Sequence, residues 1–279
     1  MPIDRDSFMI EIEPYDETVT CIKTAAEIDG DVIMWAYSFL IGDTLFDAGC
    51  PNAIEEFKEF ASSHEIRHVY VSHSHEDHSG CCSALADSAL IYATPPVAKA
   101  LREPPELSDF FVMVWGQPEP VDEVQHMPDT FSVGVLNFEV IPLPGHNKDM
   151  VGFYERKRGW LFSADAVPLP SRMRMAMSDE NLPQTIATLE RIQELDLSVL
   201  FDSHRGPVES PREHIQVRID YLKDLQNKVR ELHAKGRSIP EIQEDLQFEG
   251  PWYVELTKGR FGIDYVIRSL IHDSDSDSP

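Results

Sequence analysis

The sequence predicts a mixed fold of the α/β or α+β class, built as one large domain or two small ones. Three observations lead to this prediction. Short apolar runs typical of β-strands fill residues 8–47, strand-like runs and amphipathic helices alternate through the middle of the chain, and helical spacing dominates from residue 210 onward. The chain has 279 residues, 42% of them hydrophobic, so it can bury a sizeable core.

The N-terminal part of the chain is predicted to consist of strands. Their bounds are Phe8 to Glu13, Val19 to Ile28, Val32 to Leu40 and Thr44 to Asp47. Asp29-Gly30 is a hairpin signal between two of these strands. Asn52 then opens a helix, with Glu55 at the capping-box position, and this helix carries Ile54, Phe57 and Phe60 on one face.

The next part of the chain contains a strand, a helix and an irregular segment. His68 to Val71 reads as a buried strand, and Ser79 to Asp87 is predicted to be a helix. The segment from Thr94 to Asp129 is rich in proline and contains an apolar patch from Phe110 to Trp115. Two interpretations stay open for it: a cover over a functional site, or a helix packed on a sheet.

Further strands and helices follow in the second half of the chain. The predicted strands are Val133 to Leu136, Phe138 to Ile141, Val151 to Glu155, Trp160 to Ser163 and Ser198 to Phe201. Leu182 to Leu195 is a predicted helix, and Ser210-Pro211-Arg212-Glu213 is a strong start for a helix that ends at Gly236. Ser238 to Gln247 and Tyr253 to Ile271 are predicted as two more helices.

The composition indicates an acidic protein without targeting features. The formal net charge is −25, which disfavours binding to nucleic acid. This balance is typical of proteins adapted to high salt, and equally of a simple acidic soluble protein. Nothing resembles a signal peptide, no apolar run approaches the ~20 residues of a membrane span, and a cytoplasmic location is expected. The acidic tail, residues 272–279, is expected to be disordered.

The stretch His73-Ser74-His75-Glu76-Asp77-His78 is the strongest chemical signal in the chain. It places three histidines and two acids within six residues, directly after the predicted strand that ends at Val71. Imidazole nitrogens and carboxylate oxygens are preferred ligands of borderline metals such as zinc. A single histidine is most often structural, but this density of metal-capable side chains predicts a metal site.

The same stretch, His-x-His-x-Asp-His, resembles the metallo-β-lactamase superfamily. Three more residues match that family's later ligands in order: His146 in Leu143-Pro144-Gly145-His146, Asp165 after Leu161-Phe162-Ser163-Ala164, and His204 before Arg205-Gly206. The resemblance implies an αββα sandwich of the α+β class. It also implies that His73, His75 and His146 hold one metal ion, that Asp77, His78 and His204 hold a second, and that Asp165 bridges both.

The resemblance therefore implies a dinuclear metal-dependent hydrolase of the glyoxalase II-like or lactonase-like branch. Two Zn²⁺ ions are expected, with iron or manganese as alternatives, and a metal-bridging hydroxide would attack a small ester, thioester or lactone. A β-lactamase, a metallo-ribonuclease or phosphodiesterase, and a mononuclear iron persulfide dioxygenase remain alternatives, as does a non-catalytic binding module. The expected domains are a catalytic domain over residues 1–210, helices packed on it over 211–271, and the tail.

Three departures from the family bear on the substrate. Asn147-Lys148-Asp149-Met150 replaces the small residues that usually follow the third histidine, and Pro168 stands where lactonases carry tyrosine. The glutathione-binding region of glyoxalase II enzymes has no evident counterpart.

Residues outside the metal-ligand set have more open roles. Asp77 is expected to orient the nucleophile or pass a proton. Asp47 either hydrogen-bonds a ligand histidine or only stabilises its own turn. Lys148, Arg172 and Arg174 are candidates for binding an anionic group of the substrate, with a solvated surface as the alternative. The expected partner is a small molecule rather than nucleic acid or a membrane, and a homodimer is left open.

Overall fold

The structure is a computed structural model that describes residues 8–28, 31–169, 174–251 and 253–272. Within these residues the α+β prediction is confirmed, because two mixed β-sheets pack face to face with helices on their outer sides. The first sheet has the order β1-β2-β3-β4-β5-β6-β7, antiparallel up to β4 and parallel beyond it. Its strands are β1 (Phe8–Pro14), β2 (Val19–Ile28), β3 (Asp31–Ile41), β4 (Thr44–Phe46), β5 (His68–Tyr70), β6 (Leu90–Ala93) and β7 (Val124–His126).

The second sheet has the strand order β14-β13-β11-β10-β9-β8. Its strands are β8 (Thr130–Val133), β9 (Leu136–Pro142), β10 (Val151–Glu155), β11 (Trp160–Ala164), β13 (Val199–Asp202) and β14 (Gly206–Val208). The predicted strand from Val133 to Leu136 is wrong: these two residues pair with each other across a Gly134-Val135 turn, and Gly134 supplies the positive φ of 57°. Apart from this, the predicted strands agree with the observed ones to within two residues.

Side-chain alternation along the strands builds the central layer between the sheets. Phe46, Tyr70, Phe162 and Phe201 point into this layer, and the Phe162 ring stacks on Phe46 at 4.6 Å and on Phe201 at 4.4 Å between centroids. The residues just before them point to the opposite faces of the same strands, where they pack against helices. These residues are Leu45, Val69, Leu161 and Leu200. A period of two therefore sorts each strand into an inner and an outer face.

The outer helices of the first sheet confirm one prediction and correct two. The helices are α1 (Ile54–Ser63), α2 (Glu76–Ser79), α3 (Cys82–Leu85), α4 (Pro95–Arg102) and α5 (Asp109–Val114). Phe57 and Phe60 are buried on the predicted face of α1. The predicted capping box at Asn52 is wrong, because the Asn52 side chain donates to the carbonyl of Met113 at 3.0 Å and so ties down α5.

The predicted helix from Ser79 to Asp87 is broken. The helix α2 begins earlier than predicted, at Glu76 inside the histidine-rich stretch, and it already ends at Ser79, the predicted first residue. The next two amides, of Gly80 and Cys81, donate to the carbonyls of Gly49 and Ala48 instead of continuing the helix. Gly80 lies so close to Pro51 that a Cβ would be 2.2 Å from its ring. The turn that follows β4 therefore interrupts the helix.

The C-terminal region packs on the second sheet and on α6 (Leu182–Gln193). It contains α7 (Pro211–Ala234), α8 (Ile239–Asp245) and α9 (Ile263–Ile271), together with a small sheet of β12 (Ala176–Met177) and β15 (Phe261–Gly262). Helix α7 begins and ends where the sequence predicts. The predicted helix from Tyr253 to Ile271 is confirmed in its second half, α9, and wrong in its first half. There a 3₁₀ turn ends at Thr257, Lys258 adopts a left-handed φ of 51°, and the chain extends before α9.

Some predictions fall outside the described residues. They are the Asp29-Gly30 turn, Arg172 and the tail from residue 273 onward; β2 and β3 do pair in antiparallel fashion on either side of that turn. Among the residues that the structure describes, no helix combines the length and apolar character needed to cross a bilayer.

Candidate metal centre

The candidate metal centre lies where the carboxyl ends of strands from both sheets meet. His73 and His75 follow β5, and Asp77 and His78 lie in the single turn of α2. His146 follows β9, Asp165 follows β11, and His204 follows β13. Strands β9, β11 and β13 run in the same direction, so their carboxyl ends share one edge of the second sheet.

The seven predicted ligands form two groups with closely spaced donor atoms. His73, His75, His146 and Asp165 make one group, and Asp77, His78 and His204 make the other; within each group the atoms lie within 4.8 Å of one another. In the first group, His75 Nδ1 is 3.0 Å from His73 Nε2 and 2.9 Å from His146 Nε2. Donors in a tetrahedral zinc site are about 3.3 Å apart for Zn–N bonds of about 2.05 Å, so this spacing suits a metal ion.

The Asp165 carboxylate connects the two groups. Its Oδ1 is 3.1 Å from His78 Nε2 and 3.3 Å from His204 Nε2, and its Oδ2 is 3.2 Å from His146 Nε2. The backbone arranges this position, because β11 has a register shift after Phe162 and Ala164 has a φ of 46°. Such an irregularity at a strand end re-aims the next side chain, here Asp165.

The unsatisfied polar atoms of the centre also fit metal ions. His78 is fully buried, and its Nε2 makes no hydrogen bond although it faces carboxylates of Asp165 and Asp77. A buried imidazole nitrogen without a partner is costly in the absence of a ligand. The donor chemistry, spacing and burial of these residues therefore fit divalent metal ions such as zinc.

Other groups hold the free ring nitrogens of the histidines in place. Asp47 Oδ2 is 2.9 Å from His78 Nδ1, and the Trp35 carbonyl is 2.7 Å from His204 Nδ1. Glu180 Oε1 lies 2.8 Å from His146 Nδ1, and the Ser72 hydroxyl is 3.0 Å from His73 Nδ1. Each contact leaves the ring nitrogen that faces the centre available to a metal.

Asp47 organises the ligand stretch as well as His78. It accepts a hydrogen bond from the Ser72 amide at 2.7 Å and another from the Ser72 hydroxyl at 2.8 Å. Its own φ of 58° is left-handed, so the turn after β4 holds it in a strained conformation. The sequence indicated a role for Asp47, whereas Glu180 and the Trp35 carbonyl carry no local signal; Ser72 could have been found from its position before His73.

The electrostatics divide the histidines into two sets. Burial and then the neighbouring imidazoles lower the pKa values of His73 and His75, which keeps these rings neutral and suited to bind metal. Burial also acts to lower the pKa of His204, but the Asp165 carboxylate outweighs it and raises that pKa to about 9. The pKa of Asp165 is lowered because His204, His78 and His146 outweigh the opposing effect of its burial.

The predicted anion-binding residues lie on the surface where they are described. Lys148 and Arg174 are exposed, and Arg172 lies outside the described residues. Glu76 is the one acid of the histidine-rich stretch that belongs to neither donor group; it contacts Arg260 instead.

A cleft of about 570 Å³ opens beside His75. One wall comes from the segment between α4 and α5 and from Phe111, which are parts of the irregular segment from Thr94 to Asp129. The opposite wall comes from Asn147, Met177 and the C-terminal segment up to Arg260. The interpretation of a helix packed on a sheet is confirmed for α4, which packs against β6 and β7. The residues after it line the cleft, and their role as a cover stays a prediction.

Comparison with known families identifies the family of the chain and accounts for its fold. The model of the metallo-beta-lactamase superfamily matches residues 36–204, which include every predicted ligand. The chain belongs to this superfamily. Most superfamily members are metal-dependent hydrolases, and the family accounts for the αββα arrangement of the two sheets.

Solved structures of other superfamily members share the fold at low sequence identity. A family member from Thermus thermophilus has a TM-score of 0.63 and 15% identity, over 94% of this chain and 91% of that one. A β-lactamase domain protein from Burkholderia ambifaria has a TM-score of 0.64 and 17% identity, over 95% and 84%. Both alignments extend over almost the whole chain.

One curated protein is related in sequence. A hydroxyacylglutathione hydrolase from Legionella pneumophila (strain Corby) is 26% identical over 142 residues. The match covers 49% of this chain and 48% of the relative, so the chain matches about half the length of that protein.

Proposed function

We propose that this superfamily member is a dinuclear metal-dependent hydrolase that acts on a small ester, thioester or lactone. The observation that carries the proposal is the position of Asp165, whose carboxylate lies within 3.3 Å of ring nitrogens from both donor groups, those of His78 and His204 on one side and that of His146 on the other. A carboxylate in this position can hold two ions at once. The partial sequence match to a hydroxyacylglutathione hydrolase supports a carbonyl substrate.

The chain's own residues would divide the work of such a reaction. Bound divalent ions supply Lewis acidity and lower the pKa of a bound water toward ~7. Asp77 Oδ2 is 3.7 Å from the Nε2 atoms of both His78 and His204, so it faces the second donor group. From this position it could hold a metal ion and also orient the attacking group or accept its proton. Glu180 and Asp47 fix the orientations of His146 and His78, so the site is arranged before substrate enters.

The cleft beside His75 has a suitable size for the substrate. Its volume of about 570 Å³ lies within the range of about 300–1,000 Å³ that is usual for small-molecule sites. Apolar side chains of Leu107, Phe111 and Met177 line it together with polar and charged residues. The polar and charged ones include Ser74, Asn147, Glu106, Asp179, Lys258 and Arg260. This lining suits a small amphipathic molecule, and the net charge of −25 disfavours a nucleic-acid substrate.

The test measures initial hydrolysis rates of the zinc-loaded protein on S-lactoylglutathione, a simple lactone, an aryl ester, a chromogenic cephalosporin and a phosphodiester. We expect activity on the carbonyl substrates. Asp165→Asn should reduce it by at least about 100-fold, beyond the 10- to 100-fold typical of losing a supporting hydrogen bond. Asp196→Asn is the matched control, because Asp196 is exposed in the loop before β13, at the strand end opposite His204.

Each other outcome points to a different function. Activity confined to the phosphodiester would replace the proposal with a nuclease, and activity confined to the cephalosporin would replace it with a β-lactamase. A wild-type protein that loads iron in one donor group and hydrolyses none of the substrates would favour the dioxygenase. Equal rates for Asp165→Asn and Asp196→Asn would remove Asp165 from the reaction.

A further inference from the structure

Arg260 and Glu76 form an ion pair that joins the C-terminal segment to the ligand stretch. The Nη1 and Nη2 atoms of Arg260 donate to Oε1 and Oε2 of Glu76 at 2.8 and 2.9 Å. The Glu76 side chain is 5% exposed and the Arg260 side chain 28% exposed. Two parallel charge-assisted hydrogen bonds between planar groups fix orientation as well as distance.

Glu76 occupies a critical position in the metal centre. It stands between the candidate ligands His75 and Asp77 and is the first residue of α2. This helix is a single turn, and the side chain of its N-cap residue, His75, makes no capping hydrogen bond. One isolated turn is intrinsically unstable, so contacts from elsewhere must hold α2 in shape. The guanidinium of Arg260 supplies such a contact through the Glu76 carboxylate.

Arg260 is itself held from two directions. Its guanidinium carbon lies 4.3 Å from the ring centroid of Phe111, in α5. The next residue, Phe261, pairs with Met177 in the small β12–β15 sheet. Contacts with two separate elements thus restrict Arg260 independently of Glu76. This restriction reduces the side-chain entropy that is lost when the ion pair forms.

A partly buried ion pair contributes little to stability by itself. The desolvation of both charges offsets most of their attraction, and an apolar pair of similar volume would stabilise the fold as well. The planar pair does provide a defined geometry next to the candidate ligands. Both Glu76 and Arg260 line the cleft beside His75.

We propose that Arg260 is a positioning residue of the metal centre: by holding the Glu76 carboxylate, it fixes the backbone that carries His75, Asp77 and His78. The proposal rests on the metal centre of the proposed function. Coupling of this kind is reciprocal, so metal binding should strengthen the docking of the C-terminal segment by the same factor by which Arg260 strengthens metal binding.

The test compares zinc affinities, measured by competition with a chromophoric chelator, for wild type and Arg260→Gln. We expect about tenfold weaker binding in the variant, at the lower end of the range for residues that support ligands. Arg268→Gln is the matched control, because Arg268 pairs with Asp264 at 3.0 Å on α9 in the same region, and it should bind zinc like wild type. Arg260→Lys keeps the charge but loses the fork, so its affinity should fall in between.

A double-mutant cycle tests whether the effect runs through Glu76. In the Glu76→Gln background, Arg260→Gln should cost little further affinity, because the pair is already broken. Hydrogen exchange adds a readout that needs no substrate: zinc should slow exchange of amides 259–262 in wild type and in Arg268→Gln, but much less in Arg260→Gln.

Equal zinc affinities for Arg260→Gln and Arg268→Gln would overturn the proposal, as would fully additive effects in the cycle. These results do not depend on which substrate is hydrolysed. A wild type that hydrolyses none of the substrates but shows the effect of Arg260 on zinc affinity would reject the proposed reaction and keep the positioning role. A wild type that hydrolyses a carbonyl substrate but shows no effect of Arg260 on zinc affinity would keep the proposed reaction and reject the positioning role.

Discussion

At the scale of single residues, the surroundings of a buried histidine determine its protonation state. His214 illustrates the cost of burial without a partner: its Nε2 makes no hydrogen bond, and it lies near two arginines. Burial, together with Arg218 and Arg205, lowers the pKa of His214 to about 4. The folded protein therefore favours the neutral ring.

This shift gives His214 a predictable effect on stability as pH changes. Its folded pKa of about 4 lies below the ordinary value of 6.5, so the unfolded chain binds more protons between these values. The contribution of the neutral ring is complete above about 6.5 and is lost as pH falls toward 4. Urea unfolding at about pH 7.5 and about pH 5 should therefore show a larger loss of stability for wild type than for His214→Gln.

The control for this prediction is His126→Gln, because His126 is exposed on the edge strand β7. His126→Gln should lose as much unfolding free energy between the two pH values as wild type does. Parallel behaviour of wild type and His214→Gln would contradict the assignment of a neutral His214 in the fold.

At the scale of elements, the two sheets are joined by an aromatic layer in which Phe162 is central. Its ring contacts Phe46, Phe201 and Phe39, and the side chain is 3% exposed. Alternation along β11 aims Phe162 at the first sheet and Leu161 at the helices. The strand that ends at Asp165 is therefore anchored on both faces.

Phe162→Ala should lower the free energy of unfolding by about 3–5 kcal/mol, because the buried ring is lost and a cavity remains. Denaturant titration monitored by circular dichroism measures the change. Val135→Ala is the control, since Val135 is 84% exposed in the β8–β9 turn, and it should stay within about 0.5 kcal/mol of wild type. A comparably small loss for both variants would mean that the aromatic layer does not join the sheets.

At the scale of the whole molecule, the candidate metal centre lies between the two halves of the sandwich. His73, His75, Asp77 and His78 come from the half built on the first sheet, and the remaining ligands from the half built on the second. Bound metal would therefore cross-link segments that are far apart in sequence. Ligand binding to the folded state alone stabilises it by mass action.

Removing metal should accordingly lower the melting temperature. At free zinc about 100 times the dissociation constant, binding stabilises the fold by about 2.7 kcal/mol. For a chain of this size that corresponds to a shift of roughly 5 °C, measured by calorimetry with zinc and with a chelator. Asp165→Asn should show a much smaller shift, and an identical melting temperature for wild type in both conditions would contradict the cross-link.

Local sequence signals were sufficient for much of the fold and for the type of site. Strand alternation and helix caps depend on neighbouring residues, so β2, β10 and α7 were predicted to within a residue or two. The candidate ligand residues were recognisable because imidazoles and carboxylates cluster at predicted strand ends. The errors arose where a distant segment changed a local preference: Asn52 binds α5 instead of capping α1, and the 48–49 turn interrupts the helix after His78.

The sequence by itself determined which residues offer metal-binding atoms, because the chemistry of a side chain travels with its residue. Only the tertiary structure decided that Asp165 faces both groups, that Glu180 meets His146 and that Arg260 holds Glu76 from 184 positions away. These pairings depend on the paths of the loops and on the break at Lys258, and no periodicity within either segment encodes them. The support of the centre is long-range because one turn of helix is too short to hold itself.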